Sequence, residues 1–235
     1  MAQPTRYPWD YFPDVLIHAP ERLVKSHRDY AAAKAGDVSA AAQLVLDVIS
    51  PDALDRMWRW FHRRSPILVS AHADESDGVN AIPEALAWSI SAALEWHHEQ
   101  GIVQWNKVFH TGADGFSRLR RQAIFSGVAQ SGLNYVLVDD FIGQGGTLAN
   151  LRGHILRQGG HVLGATALTG KDYSARLAST DEQIVELRSE HGHLEDWWRH
   201  RFGFGFECLT ASETRYLCRT SSSERIVEQL EKTGC

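Results

Sequence analysis

The sequence predicts an α/β protein built on a parallel sheet, and three features carry that expectation. Pro66-Ile-Leu-Val-Ser70 and Tyr135-Val-Leu-Val138 are short apolar runs of the kind that fill strands buried on both faces. Between Tyr135 and Thr169 a strand, a helix and a second strand follow with only short turns between them. Chain geometry satisfies that spacing with a right-handed crossover between parallel strands.

Taken in order, an aromatic opening (Tyr7, Trp9, Tyr11, Phe12) precedes helical patterns over His27 to Lys34, Ala40 to Ile49 and Asp52 to His62. Ser50-Pro51 marks the start of the last of these, whose Leu54, Met57, Trp58 and Phe61 share a face. After the strand at 66–70, the polar stretch Ala71 to Ala81 reads as a loop. Pro83 then opens a helix, with Leu86, Ile90, Ala93 and Leu94 on one side, that runs to near Gly101. Ile102 to Phe109 reads as a further strand and His110 to Arg121 as a mobile loop. Tyr135 to Val138 is a buried strand, Asp139 to Gly146 a turn, and Thr147 to Gln158 a helix with Leu148, Leu151 and Ile155 inward. Gly159-Gly160 ends that helix and His161 to Thr169 returns as a strand. Helices follow at Thr180 to Arg188 and Ser223 to Lys232, around a His- and Trp-rich stretch. The organisation is thus a helical N-terminal lobe (1–65), a core (66–175) and a C-terminal segment of the same domain (176–235).

A chain of 235 residues, 43% hydrophobic, can bury one sizeable core. Its formal charge of −5, with both signs interspersed, gives no nucleic-acid or membrane surface and favours a small-molecule ligand. Neither a signal peptide nor a membrane span is legible, which predicts a cytoplasmic protein. Cys208, Cys218 and Cys235 lack the spacing of a zinc or redox motif.

The chemistry concentrates in Val136-Leu-Val-Asp-Asp-Phe-Ile-Gly-Gln-Gly-Gly-Thr-Leu148. Gly143, Gly145 and Gly146 allow backbone N–H groups to converge, and the following helix adds the partial positive charge of its N-terminus, so a phosphate monoester fits there. Gln144 lies within the same turn and Thr147 contributes a hydroxyl. Asp139 and Asp140 stand one sugar-width away, able to accept from ribose hydroxyls and to hold Mg²⁺. The chain has no Gly-x-x-x-x-Gly-Lys-Ser/Thr and no dinucleotide fingerprint.

This segment resembles the PRPP-binding motif of the type I phosphoribosyltransferase (PRTase) family, PRPP being phosphoribosyl pyrophosphate. The resemblance covers about Pro66 to Gly170. It implies a Rossmann-like central parallel sheet with flanking helices and a variable C-terminal hood. It also implies that Asp139 and Asp140 contact the ribose hydroxyls and that Gly143, Gln144, Gly145, Gly146 and Thr147 wrap the 5-phosphate. Mg²⁺ would accompany PRPP. The family's pyrophosphate loop falls at Ser70 to Pro83, where His72, Gly78 and Asn80 are the candidates. Basic residues are missing from that loop, and Asp74, Glu75 or Asp77 could hold Mg²⁺ instead. The family's flexible lid falls at His110 to Arg121, with Arg118 and Arg121 as its catalytic cations. Lys171, Asp172 and Tyr173 stand where the acceptor base would lie.

These expectations describe an enzyme that transfers 5-phosphoribosyl to a nitrogenous base and releases pyrophosphate. A non-catalytic sensor of PRPP or nucleotide, signalling to a protein partner, is the alternative. A nucleotide glycosyl hydrolase using the same cradle is a third. Family members are commonly dimers, and the aromatic opening at Tyr7 to Phe12 could serve such a contact. His191, His193, Trp197, Trp198 and His200 read as a packed aromatic helix with surface histidines rather than a metal site.

Overall fold

A computed structural model describes residues 4–73, 80–106 and 115–232. In chain order these form β1 (Leu16–Ile17), α1 (Glu21–Lys25), α2 (Tyr30–Lys34), α3 (Val38–Val48), α4 (Pro51–Phe61), β2 (Ile67–Ser70), α5 (Ile82–Leu94), β3 (His98–Glu99), β4 (Val103–Gln104), α6 (Gly115–Arg120), β5 (Phe125–Ser126), β6 (Asn134–Ile142), α7 (Gly146–Arg157), β7 (His161–Gly170), α8 (Asp181–His191), α9 (Glu195–Phe202), α10 (Ala211–Cys218) and α11 (Ser223–Glu231).

Five strands make a wholly parallel sheet in the order β1-β7-β6-β2-β3. From β2 the chain passes through α5 to β3 on one side, and from β6 through α7 to β7 on the other. Right-handed crossovers running in opposite directions put their helices on opposite faces, and the core divides accordingly. Val136 and Val138 pack with Leu86 and Ile90 of α5 and with the helical lobe, while Tyr135 and Leu137 pack with Leu148, Leu151 and Ile155 of α7. The direction of winding reverses between β2 and β6. In parallel sheets the carboxyl ends of the strands at such a reversal open the ligand crevice.

The expected helices of the N-terminal lobe form at α2, α3 and α4, α2 beginning at Tyr30, while α1 lies outside the expected patterns. Ser50 caps α4, accepting from the Ala53 N–H at 3.2 Å, with Pro51 in the first turn. On α4, Met57 and Phe61 are buried while Trp58 faces solvent, stacked on His62 at 4.0 Å. Helix α5 stops at Leu94, where Glu95 turns left-handed (φ 57°), so the chain reaches β3 instead of continuing to Gly101. Ala93 on that helix is exposed.

Three more expectations change. Among the described residues, which stop at Asn106 here, the run from Ile102 contributes only Val103–Gln104, which pairs antiparallel with β5 outside the main sheet. The acidic pair does not sit in a turn, because β6 runs on through Asp139 and Asp140 to Ile142 and pairs with β7 as far as Gly170. The aromatic opening is partly absorbed: Trp9 donates to the Leu209 carbonyl at 2.8 Å and packs edge-on to Phe12, leaving Tyr11 exposed.

The N-terminal segment runs along α7. Arg152 donates to the carbonyls of Tyr7 and Pro8 at 3.1 and 3.2 Å, and a Cβ on Gly153 would overlap the Thr5 carbonyl. A third apolar cluster gathers the C-terminal helices: Leu187, Trp198, Phe202, Phe206, Leu217, Ile226 and Leu230 pack with Phe116 and Leu119 of α6. The aromatic stretch therefore serves as core; His193 and His200 lie at the surface, but His191 is buried, its Nδ1 2.8 Å from Ser223 Oγ. No helix among the described residues is long and apolar enough to cross a membrane.

Candidate functional site at the carboxyl edge of the sheet

The turn between β6 and α7 lies at the reversal of winding. Gly145, at φ 80°, is the N-cap residue of α7 and offers no side-chain acceptor to the first turn. A Cβ at this φ would be strained, and it would also overlap Leu177. The N–H groups at the start of α7 are left for an outside acceptor, the situation that makes a helix N-terminus an anion site. Residues Gly143 to Thr147 are all partly accessible.

The turn is held from behind. Thr210 donates through Oγ1 to the Gln144 carbonyl at 2.5 Å. Arg6 forks onto Glu213 at 2.6 and 3.0 Å and reaches Asn150 Oδ1 at 2.6 Å and the Gly146 carbonyl at 3.5 Å. A Cβ on Gly146 would come within 2.8 Å of Glu213 Oε1, so glycine lets the turn rest directly on this buried ion pair. None of Arg6, Glu213 or Thr210 stood out in the sequence. The one local signal was Thr210-x-x-Glu213, a capping box, which the structure forms at α10.

The two carboxylates follow one another along β6 and their side chains interact. Asp139 continues the buried run Tyr135 to Val138 and is 8% exposed. Burial, and then the adjacent Asp140, raise its pKa well above the usual carboxylate range, although its Oδ1 accepts from the Asp140 N–H at 2.8 Å. Asp140 projects toward the helical lobe, where Lys34 Nζ meets its Oδ2 at 2.8 Å. Lys34 lies beside both carboxylates, and no cluster of three metal-ligating side chains occurs among the described residues.

Arg118 reaches the turn. Its Nη1 lies 2.8 Å from the position a Gly143 Cβ would take, and its Nε is buried with no hydrogen-bond partner among the described residues. Arg121 is exposed beyond the end of α6. The segment assigned to a mobile lid is, from Gly115 to Arg120, a helix anchored by Phe116 and Leu119 in the C-terminal core; residues 110–114 lie outside the described residues.

Of the pyrophosphate-loop candidates, His72 is placed beside β2: its Nδ1 lies 2.8 Å from Ser70 Oγ and 3.1 Å from the Ser70 carbonyl. Ser70 Oγ also lies 3.3 Å from Nε2 of the buried His98. Asn80 uses its Oδ1 to accept from the Ile82 N–H at 3.2 Å, just ahead of α5. Gly78, with Asp74, Glu75 and Asp77, lies outside the described residues.

Lys171 leaves β7 and pairs with Glu21 of α1, which also holds Lys25 at 2.5 Å. Lys25 lies 4.9 Å from the Phe141 ring centre, so this ion cluster borders the motif. Asp172 and Tyr173 are exposed, Tyr173 to 68%, with the Tyr173 carbonyl accepting from Arg215 at 2.8 Å. They are not drawn into the crevice.

No protein-family model matches the chain. It is 33% identical over 226 residues to Protein TraN of Escherichia coli, covering 96% of this chain and 50% of that protein. It is 36% identical over 157 residues to an uncharacterized protein of Haemophilus influenzae, covering 66% of this chain and 35% of that one. The chain thus spans half or less of the length of these relatives. Among solved structures it is similar to a purine phosphoribosyltransferase from Pyrococcus horikoshii (TM-score 0.33, 14% identity, 58% of this chain and 74% of that one). It is also similar to adenine phosphoribosyltransferase from Leishmania donovani (TM-score 0.32, 14% identity, 58% of each chain). Likeness at that level carries nothing about a ligand.

Proposed function

We propose that this chain binds PRPP at the carboxyl edge of β6 and transfers its 5-phosphoribosyl group to a nitrogenous base, releasing pyrophosphate. One observation carries the reading: an uncapped helix N-terminus behind left-handed Gly145, preceded on the same strand by Asp139 and Asp140, at the reversal of winding between β2 and β6.

In this reading the N–H groups of Gly146 and Thr147, the Thr147 hydroxyl and the Arg118 guanidinium hold the 5-phosphate. The accessible carboxylate of Asp140 accepts from a ribose hydroxyl. Asp139, buried with its pKa raised, supports that end of the strand through the Asp140 N–H and can donate a proton of its own. The bond from ribose C1 to the pyrophosphate oxygen breaks, its electron pair leaving with pyrophosphate. The lone pair of the base nitrogen forms the new C1–N bond and a proton leaves that nitrogen. Positive charge grows on the ribose in the transition state, so the Asp140 carboxylate stabilises it, and fixed cations around the leaving group do the rest. Asp139 and Asp140 would be the carboxylates to hold a Mg²⁺ accompanying PRPP, which would supply positive charge to the leaving pyrophosphate.

The anchoring of α6 favours a second reading, a sensor that binds PRPP or a nucleotide without turning it over. A catalyst of this kind must exclude water from a cation-like transition state, and among the described residues Arg118 stands on a helix packed into the C-terminal core rather than on a free lid. Calorimetric titration of PRPP into wild type and Asp140→Asn, with pyrophosphate release followed across a panel of bases, separates the cases. Binding that Asp140→Asn weakens, with base-dependent release, is the expected result. Binding without release identifies the sensor, and absence of any PRPP or nucleotide binding refutes both.

A further inference from the structure

We propose that Lys34, delivered by the helical lobe, is the diphosphate-binding cation of this site; the inference rests on the PRPP reading above. The sequence from Ala71 to Pro83 contains neither lysine nor arginine, so a diphosphate at the end of β2 must draw its counter-charge from elsewhere in the fold.

Besides Arg6, which lies behind the turn paired with Glu213, four cations among the described residues border the motif. Arg118 lies at Gly143, on the phosphate side of the turn. Lys25 and Lys171 share Glu21. Lys34 alone of the four meets a motif carboxylate, Asp140 Oδ2 at 2.8 Å, on the face of β6 opposite α7.

Its location joins the two halves of the crevice. Lys34 is the last residue of α2, and the carbonyl of the preceding Ala33 accepts from the Ala81 N–H at 3.1 Å. Ala81 ends the loop that leaves β2, so one residue pair ties the helical lobe to that loop while the neighbouring side chain reaches the end of β6. β2 and β6 are paired in register up to Ser70 and Val138. The ammonium therefore stands where the exits of the two strands flanking the reversal meet.

Lys34 is built to stay charged there. Burial opposes its charge, yet Asp140 outweighs it and the pKa of Lys34 is raised. The side chain keeps 31% of its surface accessible, and an ammonium has three donors, of which Asp140 takes one. A sugar whose phosphate sits on α7 and whose hydroxyls face Asp140 extends its C1 substituent away from α7, toward this ammonium.

The test uses the full chain as wild type, Lys34→Met, Lys34→Gln and Lys34→Arg, titrated calorimetrically with PRPP and with ribose 5-phosphate, which lacks the diphosphate. The expected result is a loss of roughly 10- to 100-fold in PRPP affinity for Lys34→Met and Lys34→Gln, the usual range for removing a charged hydrogen-bonding partner. Ribose 5-phosphate affinity should stay within about twofold, and Lys34→Arg should recover most of the loss. Lys34→Gln keeps a donor for Asp140, so a selective loss there reports the missing charge rather than a disturbed fold. Equal weakening of both ligands, or of neither, overturns the assignment to Lys34. A wild-type protein that binds neither ligand refutes the PRPP reading itself, a result distinguishable from the other two.

Discussion

Replacing Arg6 with Met tests whether the glycine turn depends on the ion pair beneath it. Arg6 and Glu213 are 2% and 3% exposed in their side chains, so the substitution leaves a carboxylate in the interior without its fork of 2.6 and 3.0 Å contacts. Asn150 Oδ1 loses its 2.6 Å donor as well. Removing one partner of a buried pair costs about 3–5 kcal/mol, because the remaining charge is desolvated without compensation. Glu213 keeps the Thr210 N–H at 2.9 Å, which places the expectation toward the lower end of that range. At roughly 2–4 °C per kcal/mol for a chain of this size, the midpoint should fall by roughly 6–16 °C. Urea denaturation and thermal unfolding at neutral pH would measure it. Arg6→Met/Glu213→Gln should be more stable than Arg6→Met alone, since the double change removes the stranded charge. A single-variant loss below about 1 kcal/mol, or a double variant no better than the single, would refute the buried-pair argument.

Three further outcomes are expected. Gly145→Ala forces a Cβ into a left-handed residue and onto Leu177, so stability should drop by about 2–4 kcal/mol, read by denaturant midpoint, with phosphate-monoester affinity falling alongside it. Burial lowers the pKa of both His18 and His98 to about 4, helped at His98 by His72 and His97. A lowered histidine pKa gives stability that is present above the unfolded value near 6.5 and lost as pH falls toward 4, about 3 kcal/mol for each. Unfolding free energies measured across that window should lose much of their slope in His98→Gln. Asp139 runs the opposite way: with its pKa raised by burial and by Asp140, its contribution is present below the unfolded value and lost as pH rises through the folded one. Asp139→Asn should therefore stabilise the fold at neutral pH, and a lowered melting temperature there would contradict the assignment.

What the amino-acid sequence determined by itself were the features with short-range causes. Tyr135 to Val138, the glycines after it and Leu148, Leu151 and Ile155 carry their periods and turn chemistry locally, so strand and helix were legible with the glycine turn between them. Ser50-Pro51 marked the start of α4 for the same reason. Only the tertiary structure decided what surrounds that turn. Lys34 reaches Asp140 across 106 positions and Arg6 reaches Glu213 across 207, and no local pattern encodes such pairings. β6 also continues past Val138 because β7 supplies partners as far as Gly170, which places the two aspartates within a strand rather than in a turn. Gly115 to Arg120, polar and glycine-bearing in isolation, becomes a helix because Phe116 and Leu119 find an apolar cluster assembled by the last third of the chain. Burial of that kind depends on where the remaining chain lies, so tertiary packing overrode the local preference for a loop.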